Sequence, residues 1–362
     1  MVLPNFMISA CERYKRGRKN ALAGVALGAA LCSFGSLAPG AATAQSVEAF
    51  YKGKQINVIV YTANNSSYDY YARLLTSHMG RHIPGNPTFV VRNMIGAGGL
   101  KASEFLYKFA PKDGSTIGTV GRGLAFDPIL GRNEIGIDFA RFNWIGSMNR
   151  ESTLAMSWHT SKIKSFEDLQ KTELLVPGTG AGADSELIPV ALNYLAGTKF
   201  KIIKGYKNTS DAALAMERGE LDGIAYWSWS ALRTAKMDWI KDKKINLLFH
   251  TGDREHPELK GIRLIRNLVT DPVKKQALEF ILARELLGRP FLAPPDIPAD
   301  RAKALRDAFE ATLKDPVFLK DAEKRRAEIN LVTGAEVDAV LKTAAQAPAN
   351  VIEAVKAALG RK

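Results

Sequence analysis

Residues Gln55–Tyr61 read QINVIVY, a β-rich apolar run, and lead through Thr62-Ala63-Asn64-Asn65-Ser66-Ser67-Tyr68 into Asp69–Met79, DYYARLLTSHM. In that last segment Tyr71, Leu74, Leu75 and Met79 fall on one face at helical spacing, and Gly80 supplies a stop. Strand, polar turn, amphipathic helix is the repeating unit of an α/β protein, and the chain repeats it. Thr88–Arg92 is the next strand, and Gly96–Gly99 turns it into a helix with Ala102, Phe105, Leu106 and Phe109 expected inward. Ile117–Val120 is a third strand, ending in Gly121-Arg122-Gly123.

The pattern restarts after Trp144. Leu154–Trp158 alternates like a strand, and Ser165-Phe166-Glu167-Asp168 has the capping-box form that opens a helix. The alternation runs on through Glu173–Val176, a helix around Leu187–Leu195, Phe200–Ile203, the helix Ala212–Arg218, Leu221–Tyr226 and Ile245–Phe249. From Val273 the chain reads as mostly helical, broken at Pro290–Ala293 and at Pro294-Pro295-Asp296-Ile297-Pro298. Alternating strands and helices imply parallel-type sheets flanked by helices. Two such runs with a helical C-terminal region predict two α/β lobes: 45–148 with 271–362, and 149–270.

The N-terminus differs from everything after it. A basic cluster (Arg13, Lys15, Arg16, Arg18, Lys19) precedes an uncharged stretch from Ala21 to Pro39 and then Ala42-Thr43-Ala44. That order predicts a secretory signal peptide over 1–44, cleaved before Gln45, and hence a periplasmic protein. A membrane anchor is the weaker alternative, because the stretch is Gly/Ala-rich and barely long enough to span. A lipid anchor on Cys32 fits less well still, since Leu31 precedes it where a small residue is required.

The 362 residues are 46% apolar and 24% charged, an ordinary globular balance with a net charge of +13. Removal of 1–44 leaves 45 basic against 36 acidic residues, a net +9, and no cysteine, since Cys11 and Cys32 are the only two. This excludes a disulfide scaffold and a cysteine-built metal centre. Basic residues are interspersed with acids, as in Lys314–Glu328, which argues against nucleic acid as a partner and for steering of small anions.

The catalytic search is largely negative: no H-E-x-x-H, no G-x-S-x-G, no P-loop, and no histidine pair on an uninterrupted helix face (Gly80 separates His78 from His82). No metal and no cofactor are expected. One enzyme signal remains. Gly178-Thr179-Gly180-Ala181-Gly182-Ala183 follows a strand and opens a helix, as a dinucleotide turn does, although the next strand ends at Lys204 rather than at an acid. An exported nicotinamide-dependent enzyme is therefore the alternative function. The leading expectation rests on the turns at Asn64–Ser67, Gly96–Gly99, Gly121–Gly123 and Gly178–Ser185. Built from Gly, Asn, Ser and Thr, they present backbone N–H groups at helix starts, where an anion is favoured.

Several landmarks then carry a resemblance over nearly the whole mature chain. They are Phe50-Tyr51-Lys52-Gly53-Lys54, Asp69 with Ala72-Arg73-Leu74-Leu75, and Asn93-Met94-Ile95-Gly96-Ala97-Gly98-Gly99, similar to an N-x-P-G-A-G-G turn. Ala110-Pro111-Lys112-Asp113-Gly114, Arg218-Gly219-Glu220-Leu221-Asp222-Gly223 and Ala293-Pro294-Pro295 follow in order. In these the sequence resembles the Bug (TctC-like) family of periplasmic solute-binding proteins associated with tripartite tricarboxylate transporters. The resemblance implies a two-lobed Venus-flytrap fold that captures a small carboxylate and hands it, as a monomer, to a membrane permease or a sensor protein, without catalysis.

By position, the resemblance implies a grip on ligand from Asn64, Asn65, Ser66, Ser67, Tyr68 and Asp69 on one side. Thr179, Gly180, Ala181, Asp184 and Ser185 face them, with Tyr206 nearby. The first turn departs from the family's Gly-rich form, Ile95 replaces the usual Pro, and Asn208 stands where Gly is usual. Asp69 reads equally as a helix cap, and Asp184 as a cap or as a reader of a hydroxyl or ammonium. Arg122 fits either a bidentate carboxylate clamp or a surface ion pair. Trp227 and Trp229 fit either a cleft wall or core packing.

Overall fold

The computed structural model describes residues 45–132, 136–180 and 183–360. The expected signal peptide with Cys11 and Cys32, and Ala181 of the second turn, lie outside the described residues. Residues 45–362 form one compact unit. No helix among the described residues is long and apolar enough to cross a membrane.

After a short helix α1 (Val47–Tyr51), β1 (Gln55–Val60) passes through the Asn/Ser turn into α2 (Ser67–Met79), and β2 is Thr88–Asn93. The expected face of α2 (Tyr71, Leu74, Leu75, Met79) is buried, and Gly80 ends the helix. α3 (Leu100–Glu104) continues as a π-turn over Phe105–Phe109. That turn corrects one expectation: Ala102 and Leu106 are buried, but Phe109 is 68% exposed. The Ala110 N–H donates to Phe105 O (2.8 Å), so the wider i→i+5 turn rotates Phe109 off the inward face.

β3 (Thr116–Thr119) and β4 (Asn143–Ser147) complete the first half. Then come β5 (Thr153–Trp158), α4 (Phe166–Lys171), β6 (Leu174–Gly178), α5 (Asp184–Ala196) and β7 (Phe200–Lys204). α6 (Thr209–Glu217), β8 (Gly223–Ser228), α7 (Trp229–Ala235), α8 (Met237–Lys241) and β9 (Ile245–His250) follow. The return comprises α9 (Pro272–Leu282), β10 (Pro290–Ala293), α10 (Ala299–Lys314), α11 (Pro316–Lys324), β11 (Val332–Thr333), α12 (Gly334–Ala345) and α13 (Ala349–Ala358). α4 opens with the anticipated capping box: Ser165 Oγ accepts from the Asp168 N–H while Asp168 accepts from the Ser165 N–H.

The larger sheet has the order β11-β4-β10-β3-β1-β2. β1 runs parallel to β2 and β3, with Val58 opposite Val91 and Ile117. β10 is antiparallel to both β3 and β4, and β11 is antiparallel to β4. The sheet is thus mixed rather than purely parallel, because the returning strands β10 and β11 run against the direction shared by β1–β4. In the second half β5 lies antiparallel between β8 and β9, while β6 and β7 are parallel and joined through α5. The Asp222 N–H donates to Leu175 O (3.0 Å), tying β6 beside β8.

The larger sheet thus draws strands from both sides of residues 149–270, and the smaller sheets draw all of theirs from within that segment. The return is less simple than expected. α10 packs on α2 and β4, but α9 and α13 pack against α5 instead of the larger sheet, so residues after 271 serve both halves. The crossing segments run side by side, with the Glu151 N–H on Glu285 O (2.8 Å) and the Met148 N–H on Arg289 O (3.0 Å).

Candidate functional site

The turn before α2 is organised by a single carboxylate. Asn65 sits at φ 62, a left-handed conformation Asn tolerates. Ser66 caps α2, and its hydroxyl lies 2.6 Å from Thr62 Oγ1. Asp69, buried, accepts from the Asn65 N–H (3.0 Å), Arg73 Nε (2.9 Å) and Asn93 Nδ2 (2.9 Å). Burial pushes its carboxyl up, but these hydrogen bonds outweigh it and hold the group below the usual range. Asn64 and Asn65 are exposed and Ser66, Ser67 and Tyr68 half-buried. Tyr68 stands edge-on to Tyr61 (4.7 Å between centroids), and the Arg289 guanidinium lies 4.9 Å from the Tyr68 ring.

The turn between β6 and α5 is closed on itself. The Thr179 N–H donates to Ser185 Oγ (3.1 Å), the Thr179 and Ser185 hydroxyls are 2.7 Å apart, and the Gly180 N–H donates to Glu186 Oε1 (3.0 Å). α5 has no side-chain cap, but Asp184 and Glu186 place negative charge in its first turn, where the helix dipole favours it.

The two halves meet at charged side chains. Arg122, in the Gly-flanked turn beyond β3, is buried; its Nη1 donates to Glu285 (2.8 Å), its Nε to Asp184 (3.3 Å), and it lies 5.3 Å from the Tyr226 ring. Arg284 Nη1 donates to the other oxygen of Asp184 (2.8 Å). The approach is close: a Cβ on Gly123 would stand 2.7 Å from Arg284 Nη1 and 3.5 Å from Asp184 Oδ1. Burial opposes ionisation of Asp184, but Arg284 and Arg122 pull its carboxyl below the ordinary range. Burial also opposes the Arg122 charge, and Glu285 more than restores it. Glu285 receives Tyr226 OH, Thr251 Oγ1 (2.8 Å) and Thr153 Oγ1 (3.2 Å) besides Arg122. Burial pushes its carboxyl up, while the surrounding donors keep it in the role of acceptor.

Arg122 and Asp184 are thus brought together. Tyr206 is half-buried, its N–H donating to Gly178 O (3.3 Å). Trp227 and Trp229 are buried in the core of the second half. Trp227 packs edge-on to Trp239 (5.6 Å), and Trp229 packs against His256 (6.1 Å) with its Nε1 donating to Glu258 (2.9 Å). Arg284, Glu285, Tyr226 and the neighbouring Glu151–Arg289 pair were not anticipated from sequence. For Arg284, Glu285 and Arg289 the signal was present in Ala277–Ala293, ALEFILARELLGRPFLA, where charges interrupt a run too apolar to face water. Among the described residues no group of three or more His, Cys, Asp or Glu is placed to hold a metal.

A pair of mixed α/β halves with the chain crossing between them is the architecture seen in two-lobed periplasmic binding proteins. Within that class the fold is the one seen in Bug and TctC proteins. The structure of the periplasmic binding protein BugD superposes with a TM-score of 0.64 at 20% identity, covering 85% of this chain and 98% of that one. MatC from Rhodopseudomonas palustris with bound malate gives 0.63 at 16% identity, covering 83% and 99%. An R. palustris protein with adipate gives 0.62 at 18% identity, covering 85% and 97%. No family model and no curated protein sequence matches the chain.

Proposed function

We propose that this protein is an extracytoplasmic substrate-binding protein that captures a small carboxylate between two lobes and delivers it to a tripartite tricarboxylate-type permease or to a sensor protein. It works as a periplasmic monomer, without catalysis, after loss of residues 1–44. The lobes are 45–148 with the strands and most helices after 271, and 149–270 with α9 and α13 packed on it. One observation carries the proposal: the turn after β3 and the start of α5, from different sheets, meet around two buried arginines, Arg122 and Arg284. Ligands bind at such carboxyl-end turns in open α/β sheets, and buried guanidinium is matched to carboxylate. The malate and adipate in similar folds support the ligand class. Asn64, Asn65, Ser66, Ser67 and Tyr68 form one wall; Thr179, Gly180, Ser185 and Tyr206 form the other.

The nicotinamide alternative has the required parallel β6–α5–β7 unit. Its phosphate donors are occupied, however. Glu186 takes the Gly180 N–H, Ser185 takes the Thr179 N–H, and the acid would oppose a pyrophosphate.

Thermal shift of the purified protein against succinate, malate, citrate, benzoate and L-glutamate tests the proposal. A ligand at 100 times its Kd stabilises by about 2.7 kcal/mol, several degrees in Tm. If none of these acids shifts the melting temperature while NADP does, the enzyme replaces the binding protein.

A further inference from the structure

We propose that Asp184 is a built-in stand-in for a ligand carboxylate: it occupies a two-arginine subsite, Arg122 and Arg284, that receives a carboxylate of the solute once Asp184 withdraws. The inference rests on the carboxylate-binding function proposed above.

The charges require an anion at this place. Arg122 keeps one partner, Glu285, through Nη1 (2.8 Å) whatever happens at its Nε. Arg284 spends its Nε on the Ile281 carbonyl (2.9 Å) and has Asp184 as its carboxylate partner (2.8 Å). Without Asp184, two guanidinium groups and one carboxylate remain, a net charge of +1 in a buried setting, and such a charge is costly until paired. One carboxylate restores neutrality, whether from the chain or from a solute.

Asp184 is also the member able to leave. Its side chain is 23% exposed, against 9% for Arg122, 4% for Arg284 and 2% for Glu285. It is the first residue of α5, and its predecessor Ala183, at the N-cap, makes no side-chain capping bond. A rotamer change carries its charge into water, where hydration compensates it. The arginines have no comparable exit: Arg284 is wedged against Gly123, and Arg122 is stacked near Tyr226. The vacated position lies between a turn of one half and the start of a 13-residue helix of the other. A carboxylate there would bridge the two as Asp184 now does.

Competition by Asp184 lowers apparent affinity by the fraction of molecules in which the subsite is free. Asp184→Asn keeps the shape and removes the charge. Isothermal titration with succinate, citrate, benzoate and L-glutamate should show the variant binding at least one acid about tenfold more tightly than the wild type, the factor for a subsite free one-tenth of the time. Arg284→Gln should weaken the same acid by about tenfold or more, and in that background Asp184→Asn should give no gain. Should Asp184→Asn not fold, Asp184→Ser carries the same expectation. Unchanged or weaker binding in the Asp184 variants, with wild-type binding intact, overturns the stand-in and leaves the carboxylate function standing. Failure of wild type and variants alike to bind any of the acids overturns both.

Discussion

Glu151 and Arg289 form a buried ion pair in the crossing segments, and cutting it from one side should be among the most damaging single changes in the protein. Arg289 Nη1 lies 3.1 Å from Glu151 Oε2, with the side chains 2% and 0% exposed. Glu151 also accepts from Ser230 Oγ (2.6 Å), the Ser230 N–H (3.3 Å), the Ser152 N–H (3.2 Å) and Asn149 Nδ2 (3.3 Å). Glu151→Ala strands both the guanidinium and these donors. Breaking a buried pair from one side costs about 3–5 kcal/mol. Arg289 keeps the faces of Tyr68 (4.9 Å) and Tyr71 (5.0 Å), which offset about 1–2 kcal/mol. The expected net loss is therefore roughly 3 kcal/mol. Urea unfolding followed by the fluorescence of the five tryptophans measures it. Arg289→Met alone and the double variant complete a cycle, in which the pair should be less damaging than the sum by about 2 kcal/mol or more. A loss under about 1 kcal/mol for Glu151→Ala, or additivity of the two changes, would refute the reasoning.

Gly146 has φ 151, and a Cβ there would stand 2.6 Å from Phe309 Cε1 and 2.7 Å from Val332 O. Gly146→Ala should cost about 2 kcal/mol or more in urea, because the carbonyl belongs to the paired strand β11 and cannot step aside. His250 is fully buried, and burial, then the neighbouring His256 and Arg266, push its pKa down to about 4. The unfolded chain therefore binds the extra proton first. Stability from this group is complete above the unfolded value near 6.5 and is lost as pH falls from there to about 4, by roughly 3 kcal/mol in all. His250→Phe should flatten that slope; an unchanged difference between pH 7 and pH 4.5 in parallel urea titrations excludes His250 as its source. Asp69→Ala removes the acceptor of three hydrogen bonds and should cost about 1–3 kcal/mol and release the Asn64–Tyr68 turn, seen as faster amide hydrogen exchange there.

Much of the architecture was legible because it is written locally. The β1–α2–β2 unit shows in the switch from a β-rich run to helical spacing, and the Ser165–Asp168 capping box marks its helix unaided. β4 (NWIGS) and β10 (PFLA) were not recognised as strands. They are short, carry Gly or Pro, and owe their strand character to partners far away in sequence, so no periodicity announces them. The antiparallel half of the larger sheet was hidden for the same reason. At the candidate site, Arg122 was legible between two glycines after a strand. Its partner Glu285, 163 residues away, was masked by helix-like apolar surroundings. A turn's chemistry can be read from sequence; what it is folded against cannot.

The interleaved strand order has a consequence for how the protein is made. Gly118 of β3 pairs with Leu292 of β10, and Gly146 of β4 with Phe291 and Thr333. β3 therefore has no neighbour on its outer side until about 170 further residues have been synthesised, and pairing across such separations is slow. A ribosome-bound fragment ending anywhere before β10 presents β1–β3 with an open edge and β4 with no partner at all. The larger sheet is sealed only by the last fifth of the polypeptide. That delay keeps the nascent chain unable to lock into its final shape, the condition in which an extended polypeptide can still be threaded through a narrow pore.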